Sequence, residues 1–265
     1  MKLAQHLLRR WIAIPDDARA LRLLLDDLGL EVKRSEATPD GAVYTLELLA
    51  NRGDHRCYLG VAREIRGRTG AEIMVPGITT LQVGKSPFQL RNSTPLCLRY
   101  TLTLLERTGA PAPLAEDALQ ALHAAGLHSV SAPVDATNLS NLEFGQPTHA
   151  FDAEKVDQYI EIRLSRPGER AWPLFQPGPV DLPAGTLVIA DAVKILAIAG
   201  VIGCEESKTT ADTRRVLLES ATFDPVAVRK ASRALNLHTD ASARFERGAD
   251  PSFPEVGAGR VVHLL

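Results

Sequence analysis

The hydrophobic pattern of the first 30 residues predicts two helices. Apolar side chains at positions 3, 7, 8, 11 and 12 recur at helical spacing, and Pro15 ends that run. Alanine and leucine residues between positions 20 and 28 form a second stripe, which predicts a helix over 16–28 that Gly29 ends.

Apolar runs and turn residues predict the remaining elements. A short strand is predicted at 31–32, a polar turn over 34–42 and a returning strand over 43–49. Asp54 is predicted to cap a helix over 55–68 that Gly70 ends, and further helices are predicted over 114–125 and 225–235. Strands are predicted over 97–105, 159–164, 187–190, 195–202 and 216–221. The pattern of 244–247 and of the last residues is mixed.

Helices and strands alternate here without a regular βαβ rhythm. We therefore predict an α+β fold with mixed or antiparallel sheets and flanking helices. Residues 71–95 are rich in Pro, Gly and Thr, which indicates a strand followed by a connecting loop. The predicted division is a small N-terminal α/β domain over 1–75 and a larger domain over 76–265.

Composition and charge restrict the partners. The chain has 265 residues, of which 45% are hydrophobic, with 30 basic and 32 acidic residues. This balance lacks the basic excess of a protein that grips nucleic acid alone, so any RNA binding should be weak and salt-sensitive. The widely spaced Cys57, Cys97 and Cys204 favour reduced thiols in a cytoplasmic protein over a metal site. No secretion signal is visible, and the apolar stretch 187–203 is interrupted by charges, which favours buried strands over a membrane span.

Four long runs carry a family resemblance. They read NRGDHRCYLGVAREIRGRTG at 51–70, PVDATNLSNLEFGQPTHAFD at 133–152, LVIADAVKILAIAGVIGCEES at 187–207 and VLLESATFDPVAVRKASRALNLHTDASARFERGADP at 216–251. All four resemble, in the same order, the bacterial phenylalanyl-tRNA synthetase beta chain. The family has an inserted oligonucleotide-binding module where 33–50 run directly here, and it continues beyond residue 251 into further modules. A natural freestanding paralogue is therefore favoured over a chain whose C-terminal part was removed.

The resemblance implies an editing domain that hydrolyses the ester of tyrosine wrongly attached to phenylalanine tRNA. By the family pattern, Glu219 reads the hydroxyl of the amino acid, and Thr137, Asn138 and His149 form a polar wall at which His149 helps to place water. On the residues alone, Glu219 could instead be an exposed strand residue, His149 a structural histidine and Asn138 a turn residue. No metal or organic cofactor is implied.

Small residues complete the implied pocket. Ala199, Gly200 and Gly203 match the family's floor, where small side chains leave N–H groups available to an oxyanion. Close strand packing would explain the same residues. Cys204 stands where the family usually has glycine, so it would strain a loop that needs positive φ, and a nucleophilic role for it is disfavoured. The segment 172–179 lacks the family's LDG turn.

Basic residues near the chain end could contact tRNA phosphates, although a solvated face explains them too. They are Arg229, Arg233, Arg244 and Arg247. The leading hypothesis is trans-editing of mischarged aminoacyl-tRNA, most consistent with tyrosyl-tRNA of the phenylalanine type or a hydroxylated aromatic analogue. The alternatives are a non-catalytic module that binds an aromatic amino acid or tRNA, and a fragment that docks on a synthetase chain. No membrane partner is expected.

Overall fold

The computed structural model describes residues 1–82, 84 and 87–265. Its helices are α1 Gln5–Arg9, α2 Ala18–Asp27, α3 Tyr58–Thr69, α4 Glu116–Ala124, α5 Ala132–Phe144, α6 Pro225–Ala234, α7 Asp240–Phe245 and α8 Pro254–Leu264. Its strands are β1 Lys2–Ala4, β2 Val32–Thr38, β3 Gly41–Leu46, β4 Gln89–Asn92, β5 Cys97–Glu106, β6 Thr148–Asp152, β7 Tyr159–Leu164, β8 Arg170–Ala171, β9 Val180–Asp181, β10 Leu187–Ala190, β11 Ile195–Ile198, β12 Ile202–Gly203 and β13 Arg215–Phe223. Helices and several mostly antiparallel sheets are interspersed, which confirms the predicted α+β class.

The N-terminal residues form a small antiparallel sheet in the order β1-β3-β2. The helix predicted from position 3 is wrong at its start, because Leu3 pairs with Tyr44 in strand β3 and only five residues of helix follow. The turn predicted over 34–42 is also wrong in extent. Strand β2 runs through most of it, and its residues after Val32 are all exposed, so no apolar alternation marked them as a strand.

Helix α3 begins later than predicted. Its N-cap is Cys57, whose Sγ accepts a hydrogen bond from the Gly60 N–H at 3.3 Å, whereas Asp54 is held by Arg52 in an ion pair. The predicted end is confirmed, since Gly70 adopts φ 73° immediately after the helix.

Two sheets face each other in the rest of the chain. One is antiparallel, in the order β5-β13-β6, and the other has the order β12-β11-β10-β7-β4, with only its β4–β7 pair parallel. Apolar side chains of both sheets share one core, to which β13 contributes Leu217, Ala221 and Phe223. Because side chains alternate along a strand, residue 219 of β13 points into this same core.

Helices α5 and α8 cover the opposite face of the β5-β13-β6 sheet. Leu218 packs with them in a second core, which also includes α4 and the N-terminal elements. Helix α8 was not predicted, because its pattern contains two glycines. One of them, Gly257, lies so close to Gln146 that an added Cβ would be 2.5 Å from the Cγ of that side chain. The predicted domain division near residue 75 stays a prediction, and residues 83, 85 and 86 of the predicted connection lie outside the described residues.

No helix in the described ranges has both the length and the apolar character needed to cross a bilayer.

Candidate functional site

Strand pairing brings Glu219 and His149 together. In the antiparallel β13–β6 pair, Glu219 lies directly opposite His149, and in the β13–β5 pair it lies opposite Leu102. Directly opposed residues project from the same face with Cβ atoms about 4.5–5.5 Å apart. Two residues that are 70 positions apart in the chain therefore point side by side into the space between the two sheets.

The Glu219 carboxyl is buried in apolar surroundings. Its residue is only 6% exposed, and the carboxyl makes no hydrogen bond within the described part of the chain. Burial raises the pKa of Glu219 to about 8, because removal from water disfavours the charged form. At neutral pH the group is therefore mostly a neutral carboxylic acid, which can both donate and accept a hydrogen bond.

Tyr100 is a neighbour of Glu219 that the sequence did not single out. Tyr100 lies opposite Ala221 on the same face, and its buried hydroxyl also lacks a hydrogen-bond partner. Tyr100 is thus a diagonal cross-strand neighbour of Glu219, and the pKa of Tyr100 is raised first by burial and then by the charge of Glu219. The alternating pattern of β5 could have predicted on which face of the strand Tyr100 lies. It could not have predicted that β5 pairs with β13.

The imidazole of His149 rests on strand β12. A Cβ added to Gly203 would lie 2.4 Å from both Cε1 and Nε2 of His149, so only glycine leaves room for the ring. Phe151 packs edge to face against the ring, with centroids 4.6 Å apart. The Nε2 atom is buried without a partner, and burial lowers the pKa of His149 to about 4. The ring is therefore neutral at pH 7.

The β11–β12 connection forms the rest of the implied floor. Gly200 adopts φ 70°, and an added Cβ would lie 2.7 Å from Cγ2 of Val228 on α6, so this glycine is required by both its backbone and its packing. The Ala199 N–H already donates to the Leu187 carbonyl at 3.0 Å, so this N–H group is engaged within the sheet in this conformation. Gly203 instead makes room for His149.

Cys204 does not strain its loop. Its backbone is extended, with φ −107° and ψ 152°, so the expected conflict with positive φ does not arise. The thiol is fully buried, and burial raises its pKa to about 12. It is a packed, protonated thiol and not an activated nucleophile.

Thr137 and Asn138 lie on helix α5, which covers the other face of the sheet. The Thr137 hydroxyl donates to the Val134 carbonyl at 2.7 Å, within its own helix. Asn138 is half-buried, and its amide makes no hydrogen bond within the described residues. The helix packs against β6, the strand of His149, but no hydrogen bond among the described residues joins Thr137 or Asn138 to Glu219 or His149.

The four arginines occupy different environments. Arg229 and Arg233 are exposed one turn apart on α6, as a surface contact would require. Arg244 is buried, and its guanidinium donates to the carbonyls of Arg56, at 3.0 and 3.2 Å, and of Asp240, at 3.0 Å. In this conformation the Arg244 side chain fastens α7 to the segment before α3 and does not face solvent as a surface contact would require. Arg247 is half-buried and pairs with Glu246.

One group of possible metal ligands occurs within the described ranges. It consists of Asp54, His55 and Glu64, whose ligand atoms lie within 4.8 Å of one another. Arg52 forms ion pairs with both carboxylates, so a guanidinium already neutralises the charge that would attract a cation. The group is best described as an ion-pair network.

Two cavities lie away from the candidate site. A cavity of about 430 Å³ lies beside Trp11, Glu143 and Arg260, and another of about 650 Å³ lies beside Arg107 and Val130. Neither cavity is lined by Glu219 or His149.

Comparison with known proteins identifies relatives over most of the chain. The B3/4 domain family model matches residues 96–265. The phenylalanine–tRNA ligase beta subunit of Aromatoleum aromaticum is 36% identical over 261 residues, which are 97% of this chain and 33% of that protein. The beta subunit of Gloeobacter violaceus is 37% identical over 228 residues, which are 85% of this chain and 29% of that protein. The chain thus spans about a third of the length of these relatives.

A solved structure also resembles the chain. It is the N-terminal fragment of the phenylalanyl-tRNA synthetase beta subunit from Pyrococcus horikoshii, with a TM-score of 0.47 and 17% identity over 89% of this chain and 73% of that one. This superposition is too loose to add to the relationship that the sequences establish.

Proposed function

Because the chain belongs to the B3/4 domain family, we propose that it hydrolyses the ester of mischarged aminoacyl-tRNA, with tyrosyl-tRNA of the phenylalanine type as the first candidate substrate. Its relationship to phenylalanine–tRNA ligase beta subunits supports a role connected with tRNA synthetases. The assignment of substrate and reaction is our proposal.

The observation that carries the proposal is the pairing of Glu219 with His149. A buried carboxyl and a buried imidazole nitrogen, neither with a hydrogen-bond partner in the described residues, face one space. Unsatisfied buried polar groups are costly, so their retention indicates a ligand that supplies the missing hydrogen bonds. A phenol that enters this apolar space would satisfy Glu219 and leave His149 free for water.

The free-energy cost of an unpaired buried carboxyl also explains selectivity between tyrosine and phenylalanine. The neutral Glu219 carboxyl can exchange a hydrogen bond with the hydroxyl of tyrosine, whereas phenylalanine would leave it unpaired. Sites built around a substrate hydroxyl reject analogues that lack it by about 10⁴–10⁵-fold. Tyrosine is therefore the amino acid that the buried carboxyl favours.

The hydrolytic step needs only water and the ester. Water adds to the ester carbonyl, the bond from that carbon to the ribose oxygen breaks, and the products are the free amino acid and the tRNA hydroxyl. Nε2 of neutral His149 would accept a hydrogen bond from this water and orient it. Since the pKa of His149 is lowered to about 4, we assign it to positioning the water and not to full proton removal.

The test is deacylation of labelled tyrosyl-tRNA of the phenylalanine type, with phenylalanyl-tRNA as the comparison. We expect tyrosine release that is lost in Glu219→Ala and reduced in His149→Ala. The exposed Glu106 at the end of β5 supplies the matched control, because Glu106→Ala should retain the wild-type rate. Equal rates for wild type and Glu219→Ala would reject the assignment of Glu219.

A non-catalytic binding module is the second candidate. The engaged Ala199 N–H and the low pKa of His149 favour it, since both reduce catalytic power at this site. Calorimetric titration with free tyrosine separates the two. Binding that Glu219→Ala abolishes, in a protein that releases no amino acid from either tRNA, would establish this second function.

A further inference from the structure

An aromatic residue occupies a backbone conformation that its residue type avoids. Phe175 follows β8 in a four-residue turn that the Gln176 N–H closes on the Pro173 carbonyl at 3.2 Å, and its φ is 64°. Among these four residues, only Phe175, the third, has positive φ, as in type II turns, which select glycine or asparagine there. For a bulky side chain this conformation is strained.

The Phe175 side chain is not packed in the core. Phe175 is 90% exposed, the highest value among the exposed large apolar residues of the described chain. Trp172, directly before this turn, is 37% exposed, and its indole N–H donates to the Gln176 carbonyl at 2.9 Å. Aromatic residues make up only 5% of the chain, so two accessible rings within residues 172–175 are unusual. Residues that break a local rule without a folding benefit often serve a binding function.

The turn is attached directly to the candidate site. The Leu174 N–H donates to the Gly203 carbonyl at 2.9 Å, and the Glu205 N–H donates to the Trp172 carbonyl at 2.8 Å. Gly203 is the residue on which the ring of His149 rests. Phe175 is therefore next in sequence to a residue hydrogen-bonded to the floor beneath His149, while its own ring faces solvent.

We propose that Phe175 is a stacking platform for a nucleobase at the single-stranded 3′ end of aminoacyl-tRNA. The inference rests on the proposed function. In aminoacyl-tRNA the scissile ester is carried on the terminal ribose, and the terminal base is attached to that same ribose. Stacking on an aromatic ring contributes about 5- to 150-fold in affinity per base. A chain with net charge −2 gains little from phosphates, which gives a stacking contact more weight here.

The first experiment compares two substrates across variants of Phe175. Phe175→Ala should raise KM for tyrosyl-tRNA about tenfold with kcat little changed, whereas Phe175→Tyr should retain the wild-type KM. Hydrolysis of tyrosine ethyl ester, which carries no base, should be the same in all three proteins. An unchanged KM for tyrosyl-tRNA in Phe175→Ala would overturn the proposal, and so would an equal loss on both substrates.

The second experiment does not depend on hydrolysis. An uncharged RNA oligonucleotide ending in CCA, with 2-aminopurine as its last base, loses fluorescence when that base stacks on a ring. Wild type and Phe175→Tyr should quench the probe, and Phe175→Ala should not. Quenching by a protein that releases no amino acid would support the platform while the hydrolase proposal fails, and equal quenching by all three proteins would reject the platform.

The fold provides an internal control. Phe175→Gly also removes the ring, and glycine adopts positive φ without strain, so this variant should melt at least as high as wild type. It should nevertheless lose tRNA affinity as Phe175→Ala does. A Phe175→Gly protein that is folded and binds the probe like wild type would contradict the proposal.

Discussion

Replacement of Glu219 by glutamine should stabilise the protein in a pH-dependent way. The pKa of this buried carboxyl is raised from 4.5 to about 8 because burial disfavours its charged form. Between these values the unfolded chain has released the proton and the folded chain has kept it. The unfolded state then binds fewer protons, so the free energy of unfolding falls as pH rises, by about 1.4 kcal/mol per pH unit.

The expected size of the stability difference follows from the two pKa values of Glu219. Over the full range the carboxyl costs the fold about 5 kcal/mol, and about 3 kcal/mol of that cost is present at pH 7. Glutamine has nearly the same shape and never ionises, so Glu219→Gln should be more stable than wild type by a difference that is near zero at pH 4.5 and grows until about pH 8.

Urea unfolding between pH 4.5 and pH 8 measures this difference. His149 acts in the opposite direction, because its pKa is lowered from 6.5 to about 4 and its stability contribution rises with pH over that interval. Both proteins contain His149, so its contribution cancels in the difference. Glu106→Gln, at an exposed position of β5, should show no pH-dependent gain. A difference between wild type and Glu219→Gln that stays constant with pH would refute the reasoning.

The other predictions concern packing around the site. Gly203→Ala should displace the ring of His149, because the new Cβ would lie 2.4 Å from Nε2, and should lower the free energy of unfolding in urea by about 1–3 kcal/mol. His149→Ala in the same chain should restore most of that loss, and a Gly203→Ala protein with wild-type stability would contradict the contact. Cys204→Ser should retain deacylation activity. In the folded protein the buried Cys204 thiol should resist alkylation by iodoacetamide, as followed by mass spectrometry, and rapid alkylation would show that the thiol is accessible. Arg244→Ala should destabilise the fold by about 2–3 kcal/mol in thermal unfolding, whereas Arg233→Ala should leave stability unchanged; equal melting temperatures for these two variants would contradict the buried role of Arg244.

Elements with strong local signals were predictable from the sequence. Strand β7 has the predicted bounds, and helix α6 starts where Asp224 and Pro225 indicate, with the Asp224 carboxylate accepting from the Ala227 N–H at 2.7 Å. The exposed part of strand β2 after Val32 and the short helix α7 were missed, because neither has an apolar period long enough to detect.

The site was predictable as a set of residues but not as a geometry. Family motifs selected Glu219 and His149, and only the register of β13 with β6 makes them neighbours. Their position near the chain end grouped Arg244 with Arg233 as candidate phosphate contacts, although tertiary contacts bury the first and leave the second exposed. Pairing between distant strands and the burial of a charged side chain depend on long-range packing that a local pattern does not contain.

The most direct test of the central claim is the ratio of kcat/KM for tyrosyl-tRNA to kcat/KM for phenylalanyl-tRNA, both on phenylalanine tRNA, in wild type and in Glu219→Ala. We predict a wild-type ratio far above one that collapses toward one in the variant, because removal of the buried carboxyl removes the group that distinguishes the hydroxyl. A wild-type ratio near one, or a high ratio that survives the substitution, would contradict the proposal that Glu219 selects the amino acid.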